Sequence, residues 1–130
     1  MIILTIRTDK PISELALFAN DNKINEILWE ADRTLADTIL LKIKALLQKN
    51  SFTLKDVTGV VCYEGPGSFT GLRIGLTVAN TFAYSLGCPI VPETGKAWRQ
   101  KGVKRLLKGE NDKIALPKYG AEAHITPPKK

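Results

Sequence analysis

The residues best placed to do chemistry are the run Glu64-Gly65-Pro66-Gly67-Ser68-Phe69-Thr70-Gly71-Leu72-Arg73-Ile74-Gly75. It follows a β-branched apolar stretch and precedes a segment with helical periodicity, so it joins a buried strand to a helix. Backbone N–H groups point outward at such a junction, and the helix dipole favours anions there. Gly65 and Gly67 allow tight, positive-φ geometry, Pro66 stiffens the turn, and Ser68 or Thr70 can cap the helix. Two readings follow, a phosphate cradle or a tight structural turn. The run lacks the Lys-Ser/Thr ending of a P-loop, and Gly67 to Gly71 does not fit the dinucleotide spacing, so the turn is the stronger reading.

Other routes to catalysis are poorer. Cys62 lies in an apolar strand and Cys88 precedes Pro89, which suits small buried hydrophobes rather than a disulfide framework or a metal site. The single histidine, His124, falls in a polar tail, so metal ligands are lacking and Ser68 has no histidine base nearby. No metal and no cofactor is expected, and the chain does not read as a catalyst by itself.

Charge is unevenly placed. Residues 1–95 hold nine Lys/Arg against ten Asp/Glu, whereas residues 96–130 hold ten against three. A basic C-terminal segment suits an acidic partner such as nucleic acid, with Lys96, Arg99, Lys101, Lys104 and Arg105 as the RNA-contact candidates. Only Trp98 and Tyr119 are at hand for base stacking, which argues against sequence-specific readout. A solvated surface helix with a frayed end explains the same residues equally well. The N-terminus does not read as a signal peptide, and every apolar stretch is too broken to cross a bilayer, so a cytoplasmic protein is the expectation.

The elements that must position these residues follow from periodicity. Residues 2–7 read as a buried strand, Ser13–Ala19 as a second, and Asn20-Asp21-Asn22 as a hairpin turn into a third strand through Trp29. The period then becomes helical. Thr34-Leu35-Ala36-Asp37 has capping-box form, and Ala36, Leu40, Ile43 and Leu47 set a core stripe to about Gln48, with Thr38, Leu41 and Ala45 on an adjoining face. Val57–Tyr63 is a fourth strand, a second helix runs from about Thr70 to Leu86, and Pro89-Ile90-Val91 is a fifth strand. In that helix Ile74, Val78 and Phe82 form the bulky core face. Gly71, Gly75, Ala79 and Ala83 form a small-residue stripe open to close backbone approach, and Arg73, Thr77, Asn80 and Tyr84 are more polar. Lys96–Lys108 predicts a basic helix punctuated by Trp98, Leu106 and Leu107. Ile114–Pro117 is then an extended piece, and Gly120–Lys130 is poorly ordered. The first three strands are expected antiparallel and the strand–helix–strand units parallel, which makes a five-stranded mixed α/β sheet with flanking helices.

The run Gly65–Gly75, with Val78-Ala79-Asn80 and Gly87-Cys88-Pro89-Ile90-Val91, resembles the signature of the TsaB (YeaZ) family. The resemblance extends more loosely over residues 1–95, and Pro117-Lys118-Tyr119 is similar to that family's closing segment. It implies a single actin-like (ASKHA, ribonuclease H-like) half with the second half missing. The division implied is an actin-like domain over 1–95 and a basic extension over 96–130, partly helical and then poorly ordered.

The resemblance also implies a function. TsaB proteins are regarded as inactive relatives of TsaD, the subunit that transfers the threonylcarbamoyl group to the adenosine beside the tRNA anticodon. They bind TsaD through the two helices of this half, a TsaE-like protein joins with ATP, and family members pair with themselves through the same helices. Carried over residue by residue, the partner interface comprises Thr38, Leu41, Lys42 and Ala45 on the first helix. On the second it comprises Arg73, Leu76, Thr77, Asn80 and Tyr84. The signature loop is Gly65, Pro66, Gly67, Ser68, Phe69, Thr70 and Gly71. The chain departs from the family where an Asp usually follows the first strand, since Ile6-Arg7-Thr8 places a cation there. It departs again where the first helix often begins with His and here has Thr34. Mg²⁺ takes carboxylate and water oxygens that a guanidinium cannot supply, so ATP hydrolysis is not expected. The implied role is a non-catalytic accessory subunit for a TsaD-like transferase. The alternatives are a small tRNA-binding module acting through residues 96–108, or a phosphate-binding regulatory module.

Overall fold

A computed structural model describes residues 1–118 and shows one five-stranded sheet in the order β3-β2-β1-β4-β5. Strands β1 (Ile2–Arg7), β2 (Ile12–Ala19) and β3 (Asn22–Glu30) are antiparallel neighbours, while β4 (Gly59–Tyr63) and β5 (Ile90–Glu93) add in parallel. The β2–β3 hairpin turns at Asn20, whose φ of 54° is one that Asn tolerates, as its sequence predicts. Helices α1 (Leu35–Lys49) and α2 (Phe69–Leu86) are the two crossovers, and α3 (Trp98–Leu107) follows β5.

Alternation along the strands sends successive side chains to opposite faces, and the helices divide accordingly. Leu4, Ile6, Leu15, Leu17, Val60 and Cys62 face α1 and α2, and all are buried. On the other face Val61 meets α3 at Gly102, where an added Cβ would overlap the Val61 side chain. Tyr63 stacks edge-on to Trp98, with centroids 5.8 Å apart and planes at 70°. Burial of Trp98, Val103 and Leu106 fastens α3 to the sheet, and each such side chain stabilises the contact by about 1.5–3 kcal/mol. No helix among the described residues is long and apolar enough to cross a membrane.

Several local expectations need correction. The buried stripe of α1 is Leu35, Ile39, Ile43, Leu46 and Leu47, so the helix is rotated by one residue from the expected phase, and Ala36 and Leu40 point outward. Apolar side chains occupy both phases of this helix, and packing against the β2–β3 hairpin decides between them. The Thr34 hydroxyl donates to the Ala31 carbonyl at 2.6 Å rather than capping α1. The capping box lies instead at Thr53 and Asp56, on a short 3-10 turn that periodicity does not reveal. Neither Ser68 nor Thr70 caps α2 with its side chain. The core of α2 is Leu72, Leu76, Ala79, Phe82 and Ala83, with Ile74 and Val78 only partly buried. Leu107, expected on the apolar face of α3, is exposed. His124, Tyr119 and the tail Gly120–Lys130 lie outside the described residues.

Candidate functional site

The glycine-rich loop is built around the turn that follows β1. An added Cβ at Gly67 would overlap Asp9, one at Gly71 would overlap the Thr8 carbonyl, and one at Gly75 would overlap the Thr8 hydroxyl. The Thr8 hydroxyl donates to the Gly71 carbonyl at 2.6 Å, so the small-residue stripe of α2 admits the β1–β2 turn rather than another helix. Gly65 takes φ 114°, with its carbonyl accepting from the Thr94 hydroxyl, and the Tyr63 hydroxyl donates to the Pro66 carbonyl at 2.9 Å. Pro66, Gly67, Ser68 and Thr70 remain exposed.

Arg7 does not stand alone at the end of β1. Its Nε and Nη2 donate to the Asp9 carboxylate at 2.7 and 3.3 Å, and its guanidinium lies 3.7 Å from the Tyr63 ring centroid. Burial works against the Arg7 charge, but the Asp9 hydrogen bond and charge outweigh it and raise its pKa. Asp9 went unnoticed in the sequence because it follows the expected acidic position by two residues, and only the fold brings it back onto Arg7.

The residues carried over as a partner surface are not equally available. Leu41 is 65 % exposed and Tyr84 is 90 % exposed, and Ala45, Arg73 and Thr77 are also outward. Leu76 is only 3 % exposed and belongs to the core, so it leaves the outward set. Lys42 and Thr38 are half-buried, and the Thr38 hydroxyl donates to the Thr34 carbonyl and accepts from the Trp29 indole at 3.1 Å. Asn80 is engaged as well: its side-chain N–H donates to the Ala115 carbonyl at 2.9 Å and its oxygen accepts from the Ala115 N–H at 2.8 Å. The structure adds Leu40 to the exposed apolar set. It also places Ala36, Ile74 and Val78 along a groove of about 300 Å³ between α1 and α2. The wrong phase for α1 concealed Leu40 and Ala36, and the core face assigned to α2 concealed Ile74 and Val78.

On α3 the cations are largely taken. Arg99 donates to Glu14 and Glu26, each at 2.9 Å, and stands 5.6 Å from the Trp98 ring centroid. The Arg99 hydrogen bond chiefly, against some desolvation, holds Glu26 below the usual carboxylate range. Arg105 reaches Glu93, Glu110 and Asp112, at 3.2, 2.7 and 2.6 Å, and these partners raise its pKa. Lys101 lies 3.6 Å from Glu93. Lys96 and Lys104 are exposed and make no ion pair among the described residues. Burial pushes the Cys62 thiol up strongly and the Cys88 thiol less so, which makes both poor nucleophiles.

Comparison with known proteins places this architecture. Residues 29–94 match the family described as TsaD, tRNA N6-adenosine threonylcarbamoyltransferase. The tRNA threonylcarbamoyladenosine biosynthesis protein TsaB of Bacillus subtilis (strain 168) is 34% identical over 90 residues, which are 69% of this chain and 39% of the relative. Its counterpart in Escherichia coli (strain K12) is 31% identical over 113 residues, 82% of this chain and 48% of the relative. The structure of YeaZ from Pseudomonas aeruginosa superposes with a TM-score of 0.67 at 24% identity, over 78% of this chain and 50% of that one, which supports the actin-like half-fold. The chain thus spans about half the length of the relatives it matches. It is a TsaB (YeaZ)-type member of the family described as tRNA N6-adenosine threonylcarbamoyltransferase.

Proposed function

We propose that this chain is a non-catalytic accessory subunit that docks a TsaD-like transferase in forming threonylcarbamoyladenosine on tRNA. The observation that carries this reading is the outward face of α1 and α2. Leu40 and Leu41 on α1 and Tyr84 on α2 are exposed, Ala36, Ile74 and Val78 line a groove between the same two helices, and TsaB-type relatives align across them. Large apolar side chains grouped on helix faces gain by desolvation against a complementary helix pair. The same surface serves a second copy of this chain when the transferase is absent, and a TsaE-like protein completes the assembly. The Arg7–Asp9 pair supports an accessory role, because the carboxylate after β1 is engaged by a guanidinium.

The tRNA-binding alternative keeps little support. Arg99, Lys101 and Arg105 face carboxylates of their own chain, which leaves Lys96, Lys104 and Lys108 as its outward cations without an ion pair among the described residues. The test is co-expression with the TsaD-like protein of the same organism, followed by reconstituted tRNA modification. A stable complex is expected, with modification that requires both proteins and none from this chain alone. Modification that proceeds equally well without this chain, with no complex recovered, would refute the reading.

A further inference from the structure

A cavity of about 480 Å³ opens between the β1–β2 turn, the β3–α1 link and the first turn of α2, sharing only Ile74 with the groove of the docking face. Four features of its wall agree with one another. Thr70 and Gly71 bring the N-terminal end of the 18-residue α2 to it, an end that no side chain caps and no acidic residue attends in the first turn. Amides at such an end lack intrahelical acceptors and favour an anion. Lys10 and Arg33 stand at the mouth as exposed cations with no ion pair among the described residues. Asp9, the acidic side chain among the described residues of the wall, is neutralised by Arg7 at 2.7 Å.

The fourth feature points to a ligand independently of the helix. Ser13 lines the cavity, is 0 % exposed, and its hydroxyl has no hydrogen-bond partner among the described residues. A buried hydroxyl without a partner costs about 1–3 kcal/mol, and an acceptor oxygen seated against this wall removes that cost. The remaining wall is apolar, formed by Pro11, Ala31, Leu35 and Ile74. A site with one anion-favouring end and one apolar side selects an amphiphilic anion.

We propose that this cavity binds a phosphomonoester without a metal ion, its phosphate at the α2 N-terminus between Lys10 and Arg33, its organic group against Leu35 and Ile74. Its charged residues, Lys10 and Arg33, lie off the partner surface, so its failure would leave the accessory-subunit reading standing.

The test is a titration of the isotope-labelled chain with phenyl phosphate, with inorganic phosphate in a second arm, at fixed ionic strength and without Mg²⁺, followed by amide NMR shifts. Phenyl phosphate is expected to shift Thr8, Ser13, Thr70 and Gly71 saturably and to bind more tightly than inorganic phosphate. Arg33→Glu, an exposed change that leaves the core intact, is expected to weaken binding by about tenfold or more, while Lys44→Glu on the remote side of α1 leaves it unchanged. Ser13→Ala separates the hydroxyl from the fold, since it should weaken binding without lowering the melting temperature. Either of two results overturns the proposal: no saturable shift up to about 10 mM phenyl phosphate, or saturation unaltered in both Arg33→Glu and Ser13→Ala.

Discussion

Helix α3 and the α1–α2 pair dispose of their outward residues differently. On α3, Arg99 and Arg105 turn back onto Glu14, Glu26, Glu93, Glu110 and Asp112, so both arginines of the C-terminal segment hold the fold together. On α1 and α2, Leu40, Leu41 and Tyr84 stay outward with no core to enter. A charge surplus read from sequence therefore marks an internal clamp here, and an apolar surplus marks a surface. The lesson is that a surplus of either kind identifies a partner only after the intramolecular partners have been subtracted.

The largest effect expected from breaking this comparison is at Leu76. Leu76→Glu buries a carboxylate in the core and should cost about 4 kcal/mol or more, enough to unfold a domain of this size. Leu41→Glu, one of the surface leucines, should shift stability by no more than about 0.5 kcal/mol. Chemical denaturation followed by circular dichroism separates the two, and equal losses would mean that α1 packs in another phase.

Next in size is Arg99→Ala, which leaves Glu14 and Glu26, diagonal neighbours on β2 and β3, without the cation they share. A loss of about 1–3 kcal/mol is expected, as for other hydrogen bonds to charged groups. Because Glu26 has a lowered folded-state pKa, its pairing contributes fully above the unfolded carboxylate value. That contribution falls away as pH drops through about 4.3 toward the folded value. The gap between wild type and Arg99→Ala should accordingly narrow between about pH 5 and pH 3, and a gap that widens in acid would contradict the clamp.

The smallest effect concerns two of the outward lysines. The double variant Lys96→Glu, Lys104→Glu should alter affinity for the TsaD-like partner by no more than about twofold, since α3 lies on the opposite sheet face from α1 and α2. Filter binding of tRNA at physiological salt sharpens the point. A strong, salt-dependent loss in the double variant would favour the RNA-binding alternative for residues 96–108.

The strand and helix order was legible because β-branched runs, the Asn20–Asp21 turn and the Gly87 stop are local signals. The signature run and the family it resembles were legible for the same reason. The phase of α1 was not, because Leu35, Ala36, Ile39, Leu40 and Ile43 satisfy two helical stripes and tertiary packing chooses. Nor was the fate of the cations on α3, since Glu14 and Glu26 lie 85 and 73 residues away in sequence from Arg99. The pairing of Arg7 with Asp9 and the Thr8 contacts at Gly71 and Gly75 were hidden likewise, because a turn folding back onto a helix leaves no periodic trace.

The central claim rests most directly on calorimetric titration of the wild-type chain and its Leu41→Glu variant into the TsaD-like partner, with circular dichroism confirming that both are folded. A charge placed at the centre of a helix-pair interface is left desolvated and unpaired. The account predicts a loss of roughly 2–4 kcal/mol, an affinity lower by about 30- to 1,000-fold. Wild-type affinity in the folded Leu41→Glu variant would contradict it and place the interface away from the face of α1 and α2.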